Sequence, residues 1–332
     1  MTGQEVRWGI VGPGEIAGSV LPDFAHVPGA TAAAVASRSI DRAKSFADRF
    51  AVPRAYGSYA EIMADDEIDV LYIATPHPQH QEIALAGIAA GKALLVEKSF
   101  TANVAGAEKI VSAARDRGVF VMEAMWTRFQ PAIVAARTLV DDGAIGEVRQ
   151  VQADLGVDRP YDPQHRLFDP AQGGGAMLDL GVYPVSFAHY FLGAPASIDV
   201  VGSLAPTGVD YEAGVLLGYA DGRSASLLMS LRNPTPGAAR IFGTGGWIEV
   251  PPRFHHPKQI VLHRTGQDPE TIEQPPLGKG YSHELIEVTQ CVQAGRTESA
   301  VMPLDDTLAV QRTLNHCCEQ LGVFHVEATG VL

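Results

Sequence analysis

Val6-Arg7-Trp8-Gly9-Ile10-Val11-Gly12-Pro13-Gly14-Glu15-Ile16-Ala17 is an apolar run that stops at a glycine pair and restarts as a helix. Val6–Val11 has the length and composition of a short buried strand. The next six residues read G-x-G-x-x-A, and the helical pattern Gly18-Ser19-Val20-Leu21-Pro22-Asp23-Phe24 follows them. In a strand–turn–helix setting, Gly12 permits the tight turn and Gly14 lets a pyrophosphate approach bare backbone. Ala17 lets the helix pack on the strand, and Glu15 and Ile16 stand beside the phosphates in the helix's first turn. The competing reading is a tight turn in some other α/β fold.

Moving outward, strands and helices keep alternating. Ala30–Ala36 reads as a second strand ending in Ser37-Arg38-Ser39, with a helix over 40–50 and another over 59–63. Further strands are expected over 69–74, ending at Thr75-Pro76-His77-Pro78-Gln79-His80, over 92–96, ending at Glu97-Lys98-Ser99, and over 119–123. Helices are expected between them, to residue 90 and over 105–117. Such alternation predicts a doubly wound parallel sheet, which binds ligands at the carboxyl ends of its strands. Gly12, Arg38, Thr75, His80, Lys98 and Glu123 all fall at those ends or just beyond. An acidic residue after the second strand would suit NAD; here Ser37 and Arg38 stand there with Arg42 one turn on. A hydroxyl and guanidinium groups favour the 2′-phosphate of NADP. The alternative is that Asp41 serves the ribose of NAD.

The pattern changes after Glu123, which predicts a dinucleotide-binding domain over 1–123 and a second domain over 124–332. A helix ending near 142–143 leads to a strand over 147–157, a helix beyond 179, and then mainly strands. A hairpin is expected at 220–223, joining 215–219 to 224–231, and another strand over 243–250. Helices over 282–294 and 305–321 close the chain. Strands in a run indicate an α+β domain with a large open, mainly antiparallel sheet. An open sheet face needs a cover, and a second copy of the chain, giving a homodimer, is the expected one.

Within this half, Gly173-Gly174-Gly175-Ala176-Met177-Leu178-Asp179-Leu180-Gly181-Val182-Tyr183-Pro184 sets an acid and a phenol four residues apart. If helical, both share one face. A helix starting near Asp179 would also favour its charged form and leave Pro184 in a first turn. The bland reading is a cap and a packing residue.

The chain has 332 residues, 46% hydrophobic and 19% charged, with net charge −13. Length predicts two domains, and the acidic balance argues against a nucleic-acid partner. The three cysteines show no C-x-x-C spacing and imply no disulfide framework, so a reducing, cytoplasmic setting is expected. No leader pattern or membrane-length apolar run is seen. His77 with His80, and His255 with His256, lack partners at ligand spacing, so no metal is expected.

The G-x-G-x-x-A loop, Glu97-Lys98 and the Gly-rich stretch with Asp-x-x-x-Tyr together resemble the Gfo/Idh/MocA oxidoreductases over essentially the whole chain. Thr75–His80, residues 122–129 and residues 178–184 resemble its dimeric dihydrodiol dehydrogenase and NADP-dependent D-xylose dehydrogenase branch. The resemblance implies that Lys98 lies near nicotinamide and substrate, that Asp179 and Tyr183 are catalytic and contact substrate, and that Trp126, Arg128 and Phe129 shape the substrate pocket between domains. It also implies that Thr75, Pro76, His80 and Glu97 contribute to the nicotinamide side. Where the family carries a proline after the lysine, this chain has Ser99; a proline there can hold a cis bond.

The chemistry expected is hydride transfer between nicotinamide and a carbinol carbon, with Tyr183 taking or returning the proton. A free phenol, with pKa near 10, is a poor base at neutral pH; a Lys98 ammonium close by would favour phenolate. Aromatic and polar residues together suit a small sugar or polyol, such as a pentose oxidised at C1, or a cyclic trans-dihydrodiol. Three alternatives remain: a keto-sugar or anhydro-sugar reductase, a dinucleotide-sensing regulator without catalysis, and a glycosidase that keeps NAD tightly bound.

Overall fold

A computed structural model describes residues 5–332. Residues 1–4, part of the terminus read above for leader signals, lie outside the described residues. Contacts divide the chain into two compact units: 1–124 with 277–308 and 326–332, and 125–276 with 309–325.

The first unit contains β1 (Val6–Val11), α1 (Glu15–Val20), β2 (Ala30–Ala36), α2 (Ile40–Phe50), β3 (Arg54–Tyr56), α3 (Tyr59–Met63), β4 (Val70–Ile73), α4 (His80–Ala89), β5 (Ala93–Glu97), α5 (Val104–Arg117) and β6 (Val121–Ala124). The six strands form a parallel sheet in the order β3-β2-β1-β4-β5-β6. β4, β5 and β6 are buried at every position, as strands covered on both faces must be. Only β3, three residues without alternation, gave no strand signal. Helix ends carry their own stops: Asn103 caps α5 by accepting the Gly106 N–H at 3.0 Å, and Gly118 ends it at φ +61°.

The second unit contains a 3₁₀ turn (Trp126–Phe129), α6 (Pro131–Asp141), β7 (Val148–Gly156), a π turn (Met177–Gly181), α7 (Val182–Leu192), β8 (Ser197–Leu204), β9 (Asp210–Gly218), β10 (Ser224–Ser230), β11 (Ala239–Gly243), β12 (Gly246–Val250), β13 (Gln259–Arg264) and β14 (Glu270–Glu273). Its eight strands run β14-β13-β12-β11-β7-β10-β9-β8, antiparallel except for the β7–β10 pair. One sheet face, including Val151, Ala153, Val215, Leu217, Leu227 and Ile241, is buried. α7, apolar on nearly all sides and buried at every residue but Tyr190, packs on β7 and β10. The other face keeps Val201 81% exposed, with Leu216 and Leu228 also exposed.

The chain closes with α8 (Ser282–Gln293) and α9 (Leu304–Gln320). Residues 277–308 and 326–332, expected in the second domain, have their contacts in the first unit. The cause is local and polar. Asp23, 2% exposed, accepts N–H bonds from Lys279, Tyr281 and Ser282 at 2.8–3.1 Å. A buried carboxylate requires such donors, and helical periodicity in α8 says nothing about which sheet receives it.

Two further expectations change. The strand expected over 243–250 is the end of β11 and all of β12, folded at Thr244-Gly245 into antiparallel pairing. The glycine-rich run makes this turn possible, since a Cβ on Gly243 would collide with the Ile145 carbonyl. The helix expected to start near Asp179 starts instead as the π turn. Pro184 has no N–H to give Leu180 in an α pattern, so the chain widens there before α7.

Candidate active site

In the first unit, β2, β1, β4 and β5 are neighbours, so Ser37 and Arg38, Gly12, Thr75 and Lys98 follow adjacent carboxyl ends. Gly12 has φ +93°, and a Cβ there would stand 2.9 Å from Thr75 Cγ2 and 3.1 Å from the Ala74 carbonyl oxygen. Its N–H donates to the Ala36 carbonyl at 3.1 Å and its carbonyl accepts from Gly14 at 2.9 Å, so the turn is held from both sides. Gly14 differs. Its φ of −91° suits any residue, and an added Cβ would meet only the Ala74 oxygen, at 3.8 Å. Bare backbone at Gly14 is therefore not demanded by conformation, and it leaves room for a ligand to approach. Glu15 is exposed, Ile16 half-buried and Ala17 fully buried. Thr75 Oγ1 is buried with no partner among the described residues. A glycine turn closed to side chains beside an orphaned hydroxyl fits a dinucleotide.

At the ribose end, Ser37 is buried and its hydroxyl accepts the Ser39 N–H at 3.3 Å, which shapes the turn into α2. Arg38 and Arg42 are exposed. Burial raises the pKa of the Tyr59 phenol against the lowering effect of Arg38 and Arg42. Pro13, Asp41, Arg42, Ser45, Phe46 and Arg49 line an open groove beside the phosphate loop. Arg42 and Asp41, one cationic and one acidic candidate for reading the ribose, both line it.

Lys98 is half-buried just past β5, and its N–H donates to Glu97 Oε2 at 3.1 Å. Glu97 Oε1 accepts the Tyr72 hydroxyl at 2.5 Å. Burial first, then the Glu97 charge, pushes the Tyr72 phenol well above its ordinary pKa. The same two causes raise the carboxyl of buried Glu284, on α8. Glu97 thus holds the Lys98 backbone and the Tyr72 hydroxyl at once. The Lys98–Ser99 peptide is cis. His80 is fully enclosed, with Nδ1 3.1 Å from the Ser99 carbonyl and Nε2 2.7 Å from the Thr75 carbonyl. Desolvation lowers its pKa. Its ring ties two strand ends together. Pro76 is half-buried and leads into the 3₁₀ turn at His77–Gln79.

In the second unit, Asp179 lies in the π turn and Tyr183 in the first turn of α7. A Cβ on Gly174 would stand 2.8 Å from the Arg166 and Leu167 carbonyl oxygens, so this turn can approach the 166–168 segment only as glycine. The approach lets Arg166 donate to Asp179 Oδ1 at 3.0 Å. Tyr183, 9% exposed, accepts the Trp126 indole N–H at 3.3 Å. Its ring lies 5.0 Å from that of His255, and Trp126 lies 5.2 Å from His256. Thr127 holds this wall by donating to the His255 carbonyl at 2.9 Å. Arg128 is buried with its guanidinium 5.0 Å over the Tyr190 ring; Phe129 is buried in the same turn. Arg166, His255 and His256 were not foreseen as site residues. The adjacent histidines were visible, but nothing in their spacing tied them to residues 126 and 183.

Residues 6–125 match the model described as the oxidoreductase family, NAD-binding Rossmann fold, and residues 133–249 match that of the GFO/IDH/MocA C-terminal domain. Trans-1,2-dihydrobenzene-1,2-diol dehydrogenase of Mus musculus is 38% identical over 330 residues, covering 96% of this chain and 97% of that protein. The chain belongs to the Gfo/Idh/MocA oxidoreductase family. The Homo sapiens dehydrogenase of the same name is 36% identical at the same coverage. Among solved structures, this family member is similar to the aldose-aldose oxidoreductase of Caulobacter crescentus complexed with glycerol, at TM-score 0.86 and 26% identity over 96% of this chain and 98% of that one. It is also similar to the 3-ketoreductase KijD10 of Actinomadura kijaniata in complex with NADP and TDP-benzene, at TM-score 0.82 and 26% identity over 97% and 99%. Membership makes the chain an oxidoreductase with a nicotinamide-dinucleotide-binding domain. No described helix is long and apolar enough to cross a membrane.

Proposed function

We propose that this protein is a dehydrogenase acting on the carbinol carbon of a cyclic trans-diol or an aldose, with NADP as its preferred cofactor. The observation that carries the reading is the Tyr183 phenol. Its oxygen accepts the Trp126 N–H inside an aromatic wall, in a chain similar along its length to dihydrodiol dehydrogenases.

A bound nicotinamide would accept or supply the hydride. Tyr183 takes the proton from the substrate hydroxyl on oxidation and returns it on reduction. The indole N–H stabilises the oxygen as it gains negative charge. Asp179, steadied by Arg166, accepts a bond from a second hydroxyl and so fixes which carbon is presented. Trp126 and Phe129 offer apolar faces to the ring carbons, and Arg128 supports their turn through Tyr190. The test is reduced-nicotinamide absorbance with NADP and NAD against trans-dihydrodiols, pentoses and hexoses. Turnover of a diol or aldose is expected. Tight NADPH binding without turnover of any of them would sink the reading and leave a dinucleotide sensor.

Arg38 and Arg42 favour NADP. Arg38→Ala is expected to lower the NADP-over-NAD ratio of kcat/KM by about 10–100-fold, the worth of a charge-assisted bond to phosphate, with NAD kinetics little changed. An unchanged ratio would return the ribose to Asp41.

The exposed sheet face suits a second copy of the chain and a homodimer. Val201, Leu216 and Leu228 share it with Phe242 and Trp247, which are directly paired across β11 and β12, and a lasting interface needs about 800 Å² from each partner. Leu228→Lys is expected to halve the mass seen by light scattering. A wild-type protein that is already monomeric would remove this assignment.

A further inference from the structure

Away from these residues, three metal-binding side chains meet inside the second unit. Asp210 opens β9, Cys318 lies in the last turn of α9, and His325 follows that helix. Their ligand atoms all lie within 4.8 Å of one another. The sequence brings the last two together by a local device. Gly322, at φ +76°, ends α9, and the Val323 N–H bonds back to the Cys318 carbonyl at 2.8 Å. This reversal folds the chain so that His325 returns to the helix end.

Asp210 is wholly buried, and its two oxygens have different surroundings. Oδ2 accepts the Met177 N–H at 2.5 Å, at the start of the π turn that carries Asp179. Oδ1 has no hydrogen-bond partner among the described residues. Gly175, at φ +120°, is what admits it, because any Cβ there would collide with Oδ1. A buried carboxylate oxygen without a donor is costly, and proteins resolve such cases with a proton or a cation.

We propose that Asp210 Oδ1, Cys318 Sγ and a ring nitrogen of His325 bind one divalent transition-metal ion, zinc by the chemistry of the set. One thiolate, one imidazole and one carboxylate suit a borderline ion and not calcium or magnesium, which take oxygen ligands. The charges also close: carboxylate and thiolate together neutralise a dication, so the buried unit carries no net charge. Without a cation, burial drives the three groups toward uncharged forms, pushing Asp210 up to about 6, Cys318 well up, and His325 down to about 4. Ligand atoms on a tetrahedral zinc stand roughly 3.3–3.8 Å apart, so side-chain rotation closes the set by about 1 Å. The ion would tie β9 to the end of α9. Through Oδ2 it would also hold the start of the segment bearing Asp179 and Tyr183.

The same three residue types could serve as a nucleophile with its base and orienting acid. Asp210 and Cys318 are buried, which denies a substrate access but not an ion captured on folding.

The test uses the full chain, dialysed against a chelator and then titrated with zinc chloride and, separately, cobalt chloride. Elemental analysis is expected to find one equivalent of zinc per chain. Cobalt is expected to give a thiolate charge-transfer band and tetrahedral visible absorption. Both signals are expected to vanish in Cys318→Ala and His325→Ala and to survive in Cys291→Ala, whose thiol sits on α8 beside Glu287. Should Cys318→Ala not fold, Cys318→Ser keeps the shape and must lose the thiolate band. No bound metal and no cobalt band in the wild-type chain overturns the proposal. A thiolate band that persists without Cys318 overturns it as well.

Discussion

Tyr183→Phe is expected to lower kcat by about 10²–10⁴-fold in both directions, the usual contribution of a positioned acid or base, while NADPH affinity stays near wild type. At about 1.4 kcal/mol per tenfold, that is a loss of about 3–5 kcal/mol of transition-state stabilisation. The substitution is well isolated. A phenylalanine ring keeps the packing against His255 at 5.0 Å and the buried position within α7. What disappears is the oxygen, and with it the acceptor of the Trp126 N–H. Loss of one partly buried hydrogen bond weakens folding by only about 1 kcal/mol, too little to explain the drop in rate. The diagnostic measurement is kcat against pH. The limb that titrates the proton-transfer group should vanish from the residual activity of the variant. Near wild-type kcat would show that the proton leaves by another route and that Tyr183 is a wall residue.

Gly12→Val is expected to weaken NADPH binding by about 100-fold or more, about 3 kcal/mol, and to lower the midpoint of thermal unfolding. Three facts point the same way. The residue has φ +93°, which a β-branched side chain rarely adopts, at a cost of about 1–3 kcal/mol. Its Cβ would crowd Ala74, with the carbonyl carbon 3.2 Å away. Neither side can retreat, because the Ala74 N–H is bonded to Val11 at 2.8 Å and the Gly12 N–H to Ala36 at 3.1 Å. The control is Gly14→Ala. That position has room and an ordinary φ, so the variant should unfold like wild type yet lose affinity, because its methyl group occupies the line of approach of a pyrophosphate. Fluorescence titration with NADPH beside a thermal melt separates the two effects. If Gly14→Ala binds normally, the dinucleotide does not approach this backbone.

Much of the first unit was readable because each strand there is a short apolar run closed by a functional residue. The spans of β1, β2 and α2 coincide with the expectation, since buried parallel strands and capped helices carry signals within a few residues. The Glu97-Lys98 pair could be seen, but not its support. Tyr72 and Glu284 are distant in sequence, and only packing brings the Glu97 charge to bear on their pKa values. The surroundings of His80 were hidden for the same reason: its ring nitrogens lie against the Ser99 and Thr75 carbonyls, one of them 19 residues away. In the second unit, Asp179 and Tyr183 were legible as a pair four residues apart. Their partners Arg166 and Trp126 lie 13 and 57 residues away along the chain, and no periodicity links such separations.

The sequence by itself determined the parallel dinucleotide-binding sheet, the mainly antiparallel second sheet and the glycine turn after the first strand. These follow from steric and periodic rules that act over a few residues. Tertiary structure alone decided which unit receives residues 277–308, through the Asp23 carboxylate and its three N–H donors. It also decided that Glu97 accepts the Tyr72 hydroxyl, that the His80 ring reaches the Thr75 and Ser99 carbonyls, and that Asp210, Cys318 and His325 share one buried space. The physical reason is that buried polar groups must find partners wherever folding supplies them. That demand is met in space, at separations of tens to hundreds of residues that local sequence patterns do not encode.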